Sequence, residues 1–197
     1  MNLLAHAYLS FGDADVLVGN MISDHVKGKD QFNFPEQIRR GIKLHREIDT
    51  YTDEHPATRE LKSYFKPTYR LYAAPISDIV YDHFLATDVN EFSTGETLFR
   101  FSIETYSQLE KMKPWFPAGF QQIFPYMQQY NWLYNYRFNE GISKSIQSLV
   151  RRAKFISEYE DAVNIFLENK AAMRTCYEDF FPSLKKHALE VLANLKK

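Results

Sequence analysis

Cysteine is almost absent. Cys176 stands alone in 197 residues, so no disulfide can form within the chain, which suits a reducing compartment and points to the cytoplasm. Long apolar runs are lacking too. No stretch approaches the roughly 20 apolar residues of a membrane span. The N-terminal MNLLAHAYLSFGDAD has no basic region ahead of its apolar residues and is interrupted by His6, so it does not read as a signal peptide. Neither charge is in excess: 24 Lys and Arg stand against 25 Asp and Glu, leaving a net charge of −1. That balance argues against a strongly basic nucleic-acid binder. Glycine and proline are scarce, at 7 and 8. Strand-like alternation bounded by hairpin turns is missing as well, which argues against a sheet-rich fold.

What is present is helical. Apolar residues make up 45% of the chain, and Phe and Tyr number 16 and 13. Apolar positions recur at spacings of three and four. No linker or repeat divides the chain, so residues 1–197 are expected to form one all-α domain, a single-domain helical bundle. The first helix is expected over about 2–10, stopped by Phe11-Gly12-Asp13. Asp13 or Asp15 caps a second to about Val26, and a loop runs from Lys27 to Phe34. Pro35 opens a long third helix that stops before Pro56. A short helix over about 57–65 follows, with a break at Pro67-Thr68. Residues 69–89 read as one segment bent or restarted at Pro75. Ser93 or Thr94 caps a helix ending near Lys113, and Pro114, Pro117 and Pro125 punctuate a connection. Helices over about 123–136, 141–155 and 158–195, the last broken at Pro182, complete the chain.

The chemistry gathers near one end. Five of the six histidines, His6, His25, His45, His55 and His83, lie in the first 83 residues, most with a carboxylate nearby. On the third helix His45, Asp49 and Asp53 recur every fourth residue, a step that drifts only about 40° around the axis. Leu44, Ile48 and Tyr51 form the adjoining apolar stripe, which puts the polar stripe at the edge of the buried face. An imidazole and carboxylates on one stripe can bind a divalent ion or run acid–base chemistry; spacing alone allows a solvated surface pair equally. Asp53, about 12 Å of rise from His45, is too far along to share one ion with it. Asp78 and Asp82 share a face and repel unless a cation lies near. Lys27, Lys29, Arg39, Arg40, Lys43 and Arg46 form a basic cluster, either a solvated face or a landing surface for an acidic partner or a phosphate.

Several stretches together resemble one family. Asn2-Leu3-Leu4-Ala5-His6, Gly19-Asn20 with Asp24, Gly41-Ile42-Lys43-Leu44-His45-Arg46-Glu47-Ile48-Asp49, Thr52-Asp53 and Tyr81-Asp82-His83-Phe84-Leu85 are similar, in order and spacing, to the acyl carrier protein phosphodiesterases. The likeness continues more weakly through Trp132-Leu133 and from Gly141-Ile142 to Arg152. It implies an all-helical, HD-like fold related to the HD metal-dependent phosphohydrolases. It also implies hydrolysis of the phosphodiester between 4′-phosphopantetheine and a serine of the carrier, with Mn²⁺ or, less well, Mg²⁺ as cofactor. By motif position His6, Asp24, His45, Asp82 and His83 become the expected metal ligands, and Asp24, His45 and Asp49 the expected catalytic groups. Arg46, Lys27, Arg39 and Arg40 become contacts to the acidic carrier. The order here is Asp-His at 24–25 and at 82–83, not the His-Asp for which the HD proteins are named, and His25 is left out of the set. The other readings are a phosphohydrolase of a nucleotide or small phosphoester, and a helical protein that binds a carrier without cutting it. Oligomeric state is not legible.

Overall fold

The computed structural model describes residues 1–153 and 158–195. Among them lie eleven α-helices and no strand. They are α1 (Leu3–Tyr8), α2 (Ala14–Ile22), α3 (Glu36–Glu54), α4 (Pro56–Tyr69), α5 (Ala73–Ala86), α6 (Gly95–Lys111), α7 (Ala118–Gln129), α8 (Trp132–Asn135), α9 (Asn139–Arg152), α10 (Glu160–Glu168) and α11 (Lys170–Leu195). Short 3₁₀ turns fill Ser23–His25, Gly28–Asn33, Arg70–Tyr72 and Lys113–Trp115.

Local chemistry sets most boundaries. The Asp13 side chain accepts from the Val16 N–H and caps α2. Thr94 and Thr97 exchange hydrogen bonds as a capping box at α6. Phe11 and Gly12, both at positive φ, turn the chain after α1. His55 accepts from the Ala57 N–H through Nδ1 and caps α4.

Several expected boundaries move. Pro67 does not break α4; it lies in the last turns, and the helix ends where Arg70 takes a φ of 49°. The segment over 69–89 divides there, and α5 restarts at Ala73 with Pro75 in its first turn, where a missing N–H costs nothing. Pro125 sits inside α7, and the expected single helix over 123–136 is instead two, parted at Asn131 with φ 40°. The break in the last segment falls at Asn169, not at Pro182, which lies within α11. Pro182 and Glu178, whose carbonyl loses its helical donor, are both exposed, while Tyr177, Phe180, Phe181 and Leu184 of the same turns are buried; packing holds the helix across the proline. The expected end of α9 at Phe155 lies outside the described residues.

The closest packing is between α2 and α3. A Cβ on Gly19 would fall onto the Ile38 carbonyl oxygen, and one on Gly41 onto the Val16 carbonyl oxygen. Only two glycines let the backbones approach so nearly. Helix α1 lies on α2 and α5, and α11 lies across α3, α4 and α5. The first three helices therefore meet along one line, backed by the C-terminal helices.

Candidate functional site

His6 of α1 and His45 of α3 meet face to face, their ring centroids 3.9 Å apart and their planes 14° from parallel. Both are buried. Each ring is held from its Nδ1 side by the same residue of α2. The Nδ1–H of His6 donates to Asn20 Oδ1 at 2.8 Å, and that of His45 donates to the Asn20 backbone carbonyl at 2.8 Å. The amide orientation of Asn20 follows from its other contacts, since Nδ2 donates to the His6 carbonyl at 2.8 Å and to Ser10 Oγ at 3.2 Å. With both Nδ1 atoms engaged, both Nε2 atoms face Asp49. They stand 3.2 Å from Asp49 Oδ1 for His6 and 3.0 Å from Oδ2 for His45. His45 Nε2 also lies 3.1 Å from Asp24 Oδ1.

Burial and the His45 charge push the His6 imidazole down to about 4, so it is neutral near pH 7 with its lone pair on Nε2. Burial opposes a charge on His45 as well, but hydrogen bonds to Asp24 and Asp49 outweigh it and push the imidazole up to about 9. Burial likewise works against the Asp49 carboxylate, and the two histidines more than offset it, holding the group well below the usual range. The His45 hydrogen bond also holds Asp24 low. Among the described residues three buried side-chain nitrogens have no hydrogen-bond partner of acceptable geometry, Arg40 Nε, His83 Nε2 and His6 Nε2, and only the last faces this group. A neutral imidazole lone pair beside a carboxylate is two acceptors in contact, an arrangement completed by a cation. One donor atom from each of His6, His45 and Asp49 lies within 4.8 Å of the others, so these three side chains fit a divalent ion. The Asp24 side chain is 78% exposed and that of Asp49 41% exposed, and the group opens to solvent on the carboxylate side.

Of the expected ligands, His6, Asp24 and His45 come together; Asp82 and His83 stand outside this group. Asp82 is fully buried and accepts from the backbone N–H groups of Asn2, Leu4 and Ala5 at 3.3, 2.7 and 3.2 Å. It caps α1 from α5 and so fixes the helix that carries His6. Burial pushes its carboxyl up to about 7, against the three donors. His83 turns the other way: its Nδ1–H donates to the Tyr136 carbonyl at 2.8 Å, and its ring packs edge-on against Phe166. Asp49, expected among the catalytic groups, is one of the three metal-capable side chains. Asp53 pairs with Lys62 on α4 at 2.6 Å. Asp78 finds the cation its spacing asked for in the Met1 ammonium, which lies 3.1 Å from Asp78 and 3.4 Å from Asp49.

The basic residues separate by environment. Lys27, Lys43 and Arg46 are exposed and Arg39 is half-buried, whereas Arg40 is already paired with Glu36 at 2.7 Å. Arg46 is anchored on the Val26 carbonyl and Gln31 Oε1 at 3.4 and 3.3 Å, one turn from the site. A cavity of about 280 Å³ opens beside this region, lined by His25, Val26, Phe34, Trp115 and Phe116 among others. Asn20 was missed as a functional residue, although its sequence signal is plain: an amide in an otherwise apolar stretch of helix must find buried partners.

An all-helical frame that converges two imidazoles and a carboxylate on one point, with an exposed acid beside them, defines a hydrolase-type site. The family model for acyl carrier protein phosphodiesterase matches residues 1–184, and the chain belongs to that family. Relatives include the acyl carrier protein phosphodiesterases of Yersinia pestis and of Escherichia coli O157:H7 (strain EC4115 / EHEC), each 29% identical over 188 residues, which is 95% of this chain and 97% of the relative. That of Photorhabdus laumondii subsp. laumondii is 27% identical over 188 residues, 95% of both chains. No solved structure matches the chain.

Proposed function

We propose that this chain hydrolyses the phosphodiester joining 4′-phosphopantetheine to a serine of an acyl carrier protein, releasing apo-carrier and free phosphopantetheine. The observation that carries the proposal is the convergence of His6, His45 and Asp49 in a chain alignable over 95% of its length with enzymes named for that reaction. These three residues are assigned to hold a divalent ion. Their mixed nitrogen and oxygen donors suit Mn²⁺ ahead of Mg²⁺, which is bound mainly through oxygen. Such an ion supplies Lewis-acid polarisation of the phosphoryl group and a lowered pKa for water.

The chain's own residues do the rest. Asp24, ionised and exposed beside His45, is assigned as the general base that takes a proton at a carboxylate oxygen. Arg46, next to His45 in α3 and held by the Val26 carbonyl, is assigned to phosphate or carrier contact. Lys27, Arg39 and Lys43 are assigned to the acidic surface of the carrier, with Arg40 contributing less because Glu36 already neutralises it. The lone buried Cys176 and the lack of any helix among the described residues long and apolar enough to cross a membrane fit a cytoplasmic enzyme.

Mass spectrometry of a holo-acyl carrier protein incubated with the chain and Mn²⁺ tests this. Loss of the prosthetic-group mass, with apo-carrier appearing, is expected. Hydrolysis of nucleotides with an intact holo-carrier would move the activity to small phosphoesters. Carrier binding without any cleavage would make the chain a binding protein.

A further inference from the structure

We infer that Asn20 is the positioning residue of this centre: one residue of α2 holds the Nδ1–H, and so the aim, of both histidines, His6 through its side chain and His45 through its backbone carbonyl. The inference rests on the metal-binding reading proposed above. Asn20 is fully buried, and four hydrogen bonds account for its side-chain oxygen, its side-chain amide and its backbone carbonyl. None is interchangeable. Ser10 Oγ–H donates to the His6 carbonyl at 2.8 Å, so the Ser10 oxygen is left to accept from Asn20 Nδ2. That contact, with the one to the His6 carbonyl, fixes which end of the amide is the acceptor. The acceptor end meets His6 Nδ1, which must then carry the proton, and the lone pair falls on Nε2. The Nδ1–H of His45 is held by the backbone carbonyl of Asn20, which leaves Nε2 as the nitrogen that gives up its proton to a metal. A partner on the far ring nitrogen orients a metal-binding histidine and raises its basicity; here one residue does so for two ligands.

The two histidines depend on different atoms of Asn20, which makes the inference separable from a purely structural role. A side-chain substitution removes the acceptor for His6 and leaves the carbonyl for His45. Asn20→Leu and Asn20→Ala lose the acceptor and both amide donors. Asn20→Asp loses the same donors but keeps an acceptor oxygen for His6. If Asn20 mattered only for packing, all three would weaken metal binding in step with their loss of stability.

The test is calorimetric titration of the metal-free full chain with Mn²⁺, beside ¹⁵N spectra of the imidazole nitrogens in the metal-free state. Asn20→Leu and Asn20→Ala are expected to bind Mn²⁺ about 10- to 100-fold more weakly, and Asn20→Asp to stay within about threefold of wild type. The spectra are expected to show His6 losing its Nδ1–H tautomer in the Leu and Ala variants while the Nδ1–H of His45 is unchanged. Unchanged affinity and tautomer in either of those two variants would overturn the inference. A loss of tenfold or more in a folded Asn20→Asp would also overturn it, and that arm stands if the other variants do not fold. Wild type that binds no Mn²⁺ would instead defeat the metal reading, with the spectra still reporting on Asn20.

Discussion

At the scale of single residues, two groups dominate: His45, which answers to protons, and Asp82, which answers to backbone donors. His45, pushed up to about 9, carries a proton at pH 7 that a metal must displace, whereas His6, at about 4, carries none. Mn²⁺ affinity is therefore expected to rise with pH between 7 and 9 and level off above that. Calorimetry at pH 7 in buffers of different ionisation enthalpy is expected to report about one proton released per ion; no release would contradict the assignment of His45 as a ligand. Asp82→Ala leaves the N–H groups of Asn2, Leu4 and Ala5 at the start of α1 without this acceptor and is expected to cost on the order of 3 kcal/mol in urea denaturation. It should weaken metal binding through the loosened helix under His6; unchanged stability would show that α1 is fixed by other means. The histidine–carboxylate pair was legible from spacing, because an i, i+4 step on a helix keeps one face. The roles of Asp82 and His83 were not. Adjacent helical residues diverge by about 100°, and which neighbour each one meets is decided by the packing of α1, α8 and α10 around α5.

Among the elements, the crossing of α2 and α3 decides the site. Gly19 and Gly41 bring the backbones together, which places the Asn20 carbonyl against His45, one turn after Gly41. Gly41→Ala is expected to destabilise the protein by about 3 kcal/mol, since the added carbon meets backbone that cannot swing aside. Its loss of Mn²⁺ affinity should exceed that of Ala substitution at exposed Thr50 on the same helix; a neutral melting temperature would mean the helices part without cost. Caps were readable in the sequence at Asp13 and Thr94, where a side chain meets its own helix. Proline was a poorer guide. Pro67, Pro125 and Pro182 all lie inside helices, because buried aromatic and aliphatic neighbours hold the helix whose hydrogen bond is lost. The true interruptions fall at Arg70, Asn131 and Asn169, and two of those turn on positive φ, a feature that residue type alone signals weakly.

For the whole molecule, His6, His45 and Asp49 come from α1 and α3, and the C-terminal helix α11 packs across α3, α4 and α5. Its His187 stacks on Tyr51 at 4.5 Å, its Phe180 stacks on Tyr81 at 4.7 Å, and its Lys185 reaches Glu91 and Tyr8. The uneven distribution of histidines was visible in the sequence; these contacts of α11 join residues 94 to 177 positions apart and leave no local trace. In the docking proposed above the basic residues would act at this scale too, as a field toward the carrier. Charge reversal at Lys27 and Arg39 is expected to raise KM for a carrier-protein substrate about tenfold at low salt while sparing a small phosphodiester; equal effects on both substrates would remove the docking role. The centre itself is tested most directly by anomalous diffraction from crystals of the full chain grown with Mn²⁺. A single strong peak bonded to His6 Nε2, His45 Nε2 and Asp49 is expected. A peak bonded to Asp82 or His83, with His6 and His45 free, would contradict it.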